Sequence, residues 1–205
     1  MNKSAARGLQ RGLIIAVILA VAGFAWISLS GWLAQDGDGN SGTGEVSIGG
    51  PFSLTDQNGR AVTEKDYLGK LQLIYFGFTS CPDICPTALQ TVAIALDELG
   101  ADAGKVAPIL ISVDPERDTP AVMKDYVASF HESMVGLTGT PEQVAAAAKA
   151  FRVYYQKVQL PGSSLGYSID HSGFLYLMGR DGKYLAHFRH NSAPEDIVKK
   201  LRASF

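Results

Sequence analysis

The sequence predicts an α/β domain, a mixed central sheet flanked by helices, behind one N-terminal transmembrane helix. Three observations support this. Residues 70–78 (KLQLIYFGF) and 106–113 (VAPILISV) are too uniformly apolar for edge strands and read as buried central ones. Helical patterns follow each of them, and a hairpin pattern with a last helix closes the chain, the order expected of a mixed sheet. Finally, 12–33 (GLIIAVILAVAGFAWISLSGWL) carries no charge and, as a helix, spans about 33 Å, enough for a bilayer core. With 205 residues, 46% of them hydrophobic and 19% charged, the chain is too apolar for a disordered protein and has room for one core plus an appendage.

Lys3, Arg7 and Arg11 precede the apolar run, and Asp36 and Asp38 follow it. The positive-inside rule therefore places tail 1–11 in the cytoplasm and the body beyond the membrane. Ser28-Leu29-Ser30 offers small residues suited to a signal peptidase, but the run exceeds an ordinary h-region, so an uncleaved anchor is expected. Residues 34–50, with DGDGNSGTGEVSIGG over 36–50, read as a Gly-rich flexible tether. The folded domain is expected over 51–205.

Its first element is a small hairpin over 51–63, with Asn58-Gly59 as the turn. The central strand 70–78 is followed by a helix over 87–99, where apolar residues recur at helical spacing and Gly100 ends the run. After strand 106–113, Thr119-Pro120 opens a helix to about Phe130, the threonine capping and the proline at the first helical position. Thr140-Pro141-Glu142-Gln143 repeats the device as a capping box before a helix to Phe151. Residues 153–159, 174–178 and 184–188 are strand-like, the last two joined by a turn at 180–183, and 194–201 is a short helix.

The formal charge of −2 includes the three N-terminal bases, so the body is more acidic than the total suggests. A mildly acidic body offers no basic face to a phosphate backbone, and no nucleic-acid partner is expected. The only cysteines are Cys81 and Cys85, in Cys81-Pro82-Asp83-Ile84-Cys85 between the central strand and its helix. Backbone N–H groups at a helix entry favour thiolates, so both sulfurs should ionise easily. Their i, i+4 spacing suits either a shared metal ion or a disulfide, and spacing alone does not choose. Two thiolates fall short of the four ligands of zinc, whereas Cu(I) accepts two or three soft donors. As simple packing residues, the pair would need neither the helix entry nor the flanking prolines.

Among the histidines, His131 reads as a solvated helix-end residue, and His187 and His190 as surface residues. His171, in Asp170-His171-Ser172-Gly173 just before an apolar strand, reads from the residues alone either as a ligand or as an ordinary hydrogen-bonded loop residue.

Three segments taken together, 78–86 (FTSCPDICP), 112–120 (SVDPERDTP) and 170–172 (DHS), resemble the Sco/SenC family, and 136–140 and 151–155 extend the resemblance over nearly the whole body. The resemblance implies a membrane-tethered thioredoxin-like domain that binds copper and helps assemble the CuA centre in subunit II of cytochrome c oxidase. It places the metal ligands on Cys81, Cys85 and His171. Asp170 could orient His171, face a partner or cap the strand entry. Asp114, Asp118 and Thr119 read as structural, the last two as helix caps, with Arg117 pairing locally. Tyr154 and Tyr155 read as strand residues. The expected function is a copper metallochaperone handling Cu(I), with Cu(II) as a second state. It would stand in the bacterial inner membrane and face the periplasm, served by a copper donor protein and a thiol reductant protein. The alternatives are a thiol–disulfide oxidoreductase acting on the CuA cysteines through Cys81 and Cys85, and a redox or copper sensor.

Overall fold

The computed structural model describes residues 48–205, together with Gly23 and Trp26. Apart from those two residues, the expected anchor over 12–33 lies outside the described residues, as do tail 1–11 and most of the tether. Among the described residues no helix is long and apolar enough to cross a membrane.

The chain order is β1 (Ser53–Asp56), β2 (Ala61–Thr63), β3 (Leu71–Gly77), α1 (Ile84–Leu99), β4 (Val106–Ser112), α2 (Pro120–Ala128), β5 (Val135–Thr138), α3 (Pro141–Ala150), β6 (Tyr155–Gln159), β7 (Tyr167–His171), β8 (Phe174–Met178), β9 (Tyr184–Arg189) and α4 (Pro194–Arg202). Seven strands form one mixed sheet in the order β2-β1-β5-β4-β3-β8-β9. β3 and β4 pair in parallel from Leu71↔Val106 to Gly77↔Ser112, β4 and β5 are also parallel, and β8 lies antiparallel to β3. Every residue of β3 and of β4 is buried, Gln72 and Ser112 among them, as predominantly apolar runs require of strands covered on both faces. Leu89, Val92 and Leu96 of α1, Met123 and Val127 of α2, Val144 and Ala148 of α3 and Ile197 and Leu201 of α4 supply that cover. The fold is α/β and thioredoxin-like, a mixed central sheet flanked by helices.

The first hairpin turns at Gly59, whose φ of 81° explains the glycine. Thr119 and Thr140 cap α2 and α3 by accepting from the N–H groups of Val122 and Gln143, and Gln143 completes a capping box.

Several expectations shift. α1 begins at Ile84 rather than Thr87, which brings Cys85 into its first turn. α2 ends at Ala128, before the expected Phe130. β5 has no apolar run to announce it, because it is four residues long with a glycine inside. A Cβ on Gly136 would lie 3.1 Å from Val127 and 3.2 Å from Met123, so the glycine lets α2 pack closely. The strand expected from Val153 begins at Tyr155, because Arg152 turns the chain with φ 58°. Its partner β7 lies where a loop was expected. These two strands form a separate two-stranded sheet, Tyr155 opposite His171 and Gln159 opposite Tyr167, and β6 is largely exposed. A hairpin exposed in this way shows no apolar alternation in sequence.

Candidate metal centre

The site lies at the carboxyl end of β3, where parallel strands commonly present functional groups. The chain leaves the sheet at Gly77, the Cys81 N–H returns to the Phe78 carbonyl at 3.2 Å, and α1 starts three residues later. Cys85 is fully buried on the inner side of the first helical turn, and Cys81 is half-buried in the loop before it. Both cysteines are free. Gly77 is the wall behind Cys85: a Cβ there would sit 2.9 Å from its Sγ.

The third member comes from the separate hairpin. His171, the last residue of β7, turns its Nε2 to 3.4 Å from Cys85 Sγ. Its Nδ1 lies 3.2 Å from the Ser172 carbonyl. A carbonyl only accepts, so the proton is assigned to Nδ1 and Nε2 presents its lone pair towards the sulfurs. Tyr75 and Phe78 meet the imidazole at T-shaped angles, with ring centroids 5.9 and 5.8 Å away, and fix its plane. One ligand atom from each of Cys81, Cys85 and His171 lies within 4.8 Å of the others, and among the described residues this group could hold a metal ion.

The two sulfurs are not equivalent. The Cys85 thiol beside it draws Cys81 well below the ordinary thiol range, against the opposing effect of burial. Cys85 is pushed upward, first by the neighbouring Cys81 sulfur and then by burial. The expectation that both ionise easily therefore holds for Cys81 alone, because two adjacent sulfurs resist carrying two charges. Burial above all raises the Tyr75 phenol far above its usual value. Such a phenol stays protonated.

The other histidines stand apart from this group. His131 is half-buried rather than solvated, its Nδ1 accepting from the Ser133 N–H at 3.1 Å and its Nε2 lying 3.7 Å from Asp97. His187 is exposed on β9 against Phe174, and His190 lies over Gly173. Asp170 is exposed on the opposite pleat from His171, so the Ser172 carbonyl orients the imidazole in its place. Asp118 does not cap α2. Thr119 does, while buried Asp118 accepts from the Thr79 N–H and hydroxyl and from the Ser112 hydroxyl. Gly77, Tyr75, Phe78 and Thr79 shape the site, yet in sequence they look like any apolar strand and its exit; only their place just before Cys81 marks them.

The SCO1/SenC family model matches residues 40–205. The chain belongs to the SCO1/SenC family. One curated member, a SCO2-like protein of Rickettsia felis, is 43% identical over 159 residues, 78% of either chain. A solved structure of Bradyrhizobium japonicum ScoI with copper bound is 47% identical with a TM-score of 0.72, covering 78% of this chain and all of that one. A structure of BsSco, described as a member of the Sco family of cytochrome c oxidase assembly proteins with a disulfide switch, is 28% identical, with a TM-score of 0.61. It covers 77% of this chain and 93% of that one. The donor chemistry fits copper: two sulfurs and one imidazole are a three-coordinate set that Cu(I) accepts, one donor short of a closed structural zinc site.

Proposed function

We propose that this chain is a membrane-anchored copper metallochaperone that holds copper on Cys81, Cys85 and His171 and passes it to the CuA site in subunit II of cytochrome c oxidase. The observation that carries the proposal is the convergence of those three donors at a half-buried edge of the domain. An incomplete donor set suits cargo, since a closed four-ligand site would retain the ion. Cys81, half-buried and readily ionised, is the donor best placed to meet an incoming ligand, while Cys85 and His171 hold from behind. Residues 12–33 serve as the anchor and 34–50 as the tether that gives domain 51–205 its reach, with the body on the periplasmic side of a bacterial inner membrane. A copper donor protein supplies the ion. In an oxidising compartment a thiol reductant protein must keep the pair reduced, because a sulfur in a disulfide is lost as a ligand.

The test is transfer. Copper-loaded protein mixed with the metal-free, reduced CuA domain of subunit II should lose its copper to that domain, and His171→Ala protein should not sustain the transfer. Retention of copper by the wild type overturns the proposal.

The inequality of the sulfurs favours a second reading. The Cys81 thiolate can attack a disulfide of the partner, and Cys85 can then resolve the mixed disulfide. The partner leaves with two thiols, and a Cys81–Cys85 disulfide remains. This chemistry needs both thiols but not the imidazole. If His171→Ala abolishes transfer but leaves reduction of the CuA cysteines intact, the chain has both activities.

A further inference from the structure

The three donors sit on two separate pieces of chain, and the piece carrying His171 is outside the main sheet. A lone two-stranded hairpin is marginal in water, so its anchorage decides how well His171 is placed. Ile169 is buried beneath it. Apart from the Cys85–His171 contact, every side-chain hydrogen bond and ion pair joining residues 154–172 to the rest of the described domain ends on Asp114, Glu116 or Arg117. Arg117 Nη1 donates to the carbonyls of Leu165 at 3.4 Å and Tyr167 at 3.2 Å, and the guanidinium lies 3.8 Å over the Tyr167 ring. The Tyr167 hydroxyl donates to Asp114 Oδ1 at 2.7 Å, and Asp114 Oδ2 pairs with Arg117 Nε. Lys157 lies 4.4 Å over the same ring and pairs with Glu116 at 2.6 Å. Tyr167 thus has two cations over its ring and a buried carboxylate at its hydroxyl.

The same short segment holds the other ligand-bearing piece. Asp118 accepts from the Thr79 N–H at 3.1 Å, from its hydroxyl at 2.6 Å and from the Ser112 hydroxyl at 2.6 Å, and Thr79 is two residues before Cys81. We infer that 114–118 is a positioning device for the metal site: Asp118 fixes the cysteine loop, and Asp114 with Arg117 clasps the histidine hairpin through Tyr167. Five consecutive residues thereby set the separation of the sulfurs from the imidazole. Arginine suits this place because its planar fork serves a carboxylate, two carbonyls and an aromatic face together, which an ammonium cannot. The inference rests on the three-donor reading of the site.

Two variants spare the buried Asp114 from losing its cation: Arg117→Lys and Tyr167→Leu. In anaerobic competition against a Cu(I) chelator each should weaken copper binding by roughly 10-fold, the lower end of what outer-shell partners contribute. In a His171→Ala background neither should weaken it further, since the clasp acts through the imidazole. An equal loss in both backgrounds would mean general destabilisation and overturns the inference, as does no loss in either. Amide exchange of the metal-free protein tests the clasp without copper. Both variants should speed exchange over 167–172 and leave 71–77 and 106–112 protected. Unchanged exchange over 167–172 overturns the inference whatever copper does. Should His171→Ala itself bind copper as the wild type does, the three-donor reading fails, and exchange alone then decides the clasp.

Discussion

Cys81 and Cys85 have the same side chain four residues apart, and their surroundings make them different reagents. Cys81 is half-buried with its acidity raised by the neighbouring thiol, whereas Cys85 is buried and held protonated. Because the Cys81 value is depressed, its thiolate persists as pH falls, where an ordinary thiol loses tenfold in thiolate for each unit below about 8.5. Alkylation of the reduced, metal-free protein by iodoacetamide, mapped by mass spectrometry, should therefore label Cys81 before Cys85. The rate should stay nearly flat from pH 8 to about 6. A tenfold fall per unit over that range would contradict the assignment. Behind the sulfurs, Gly77→Ala would place a methyl 2.9 Å from Cys85 Sγ and 2.9 Å from a Tyr75 ring carbon. Urea unfolding should show a loss of about 1–3 kcal/mol, with weaker copper binding alongside. The cysteine pair was legible in sequence because its chemistry is local to one loop. His171 is legible only in part: the residues leave it between ligand and loop residue, because its distance from Cys85 is set by tertiary structure, and resemblance to a family favours the ligand.

Elements differ in how plainly the chain announces them. β3 and β4 are predominantly apolar runs, and the structure buries every residue of both. α2 and α3 start at a threonine followed by proline, and both threonines accept the expected capping bonds. Thr140→Ala should cost about 1 kcal/mol in urea unfolding and leave copper affinity unchanged, since α3 supplies none of the three donors. The β6–β7 hairpin is the opposite case. Its side chains face water more than core, so no alternation marks it, and its place depends on an arginine and a carboxylate more than forty residues earlier in the chain. The segment 112–120 read as strand end and helix cap, which Thr119 satisfies, while Asp114, Arg117 and Asp118 reach across the fold to pieces that sequence order separates.

At the scale of the whole molecule, the domain is a thioredoxin-like frame whose sheet end gathers, from two distant segments, three residues that could hold a metal ion. The proposed anchor and tether would carry that end to a membrane-bound partner. The full chain should sediment with membranes and resist alkaline extraction, and a chain beginning at Asp36 should remain in solution; recovery of both in the soluble fraction would contradict the anchor. The central claim is the three-donor copper site. It is tested most directly by anaerobic Cu(I) titration of the reduced chain from Asp36 against a competing chelator, for the wild type, Cys81→Ser, Cys85→Ser and His171→Ala. The account predicts a single tightly held copper per chain, and in each variant a loss at least as large as the roughly 10- to 100-fold that outer-shell changes produce. Wild-type affinity in His171→Ala would contradict it, leaving the imidazole a structural residue and thiol–disulfide exchange the better reading of the two cysteines.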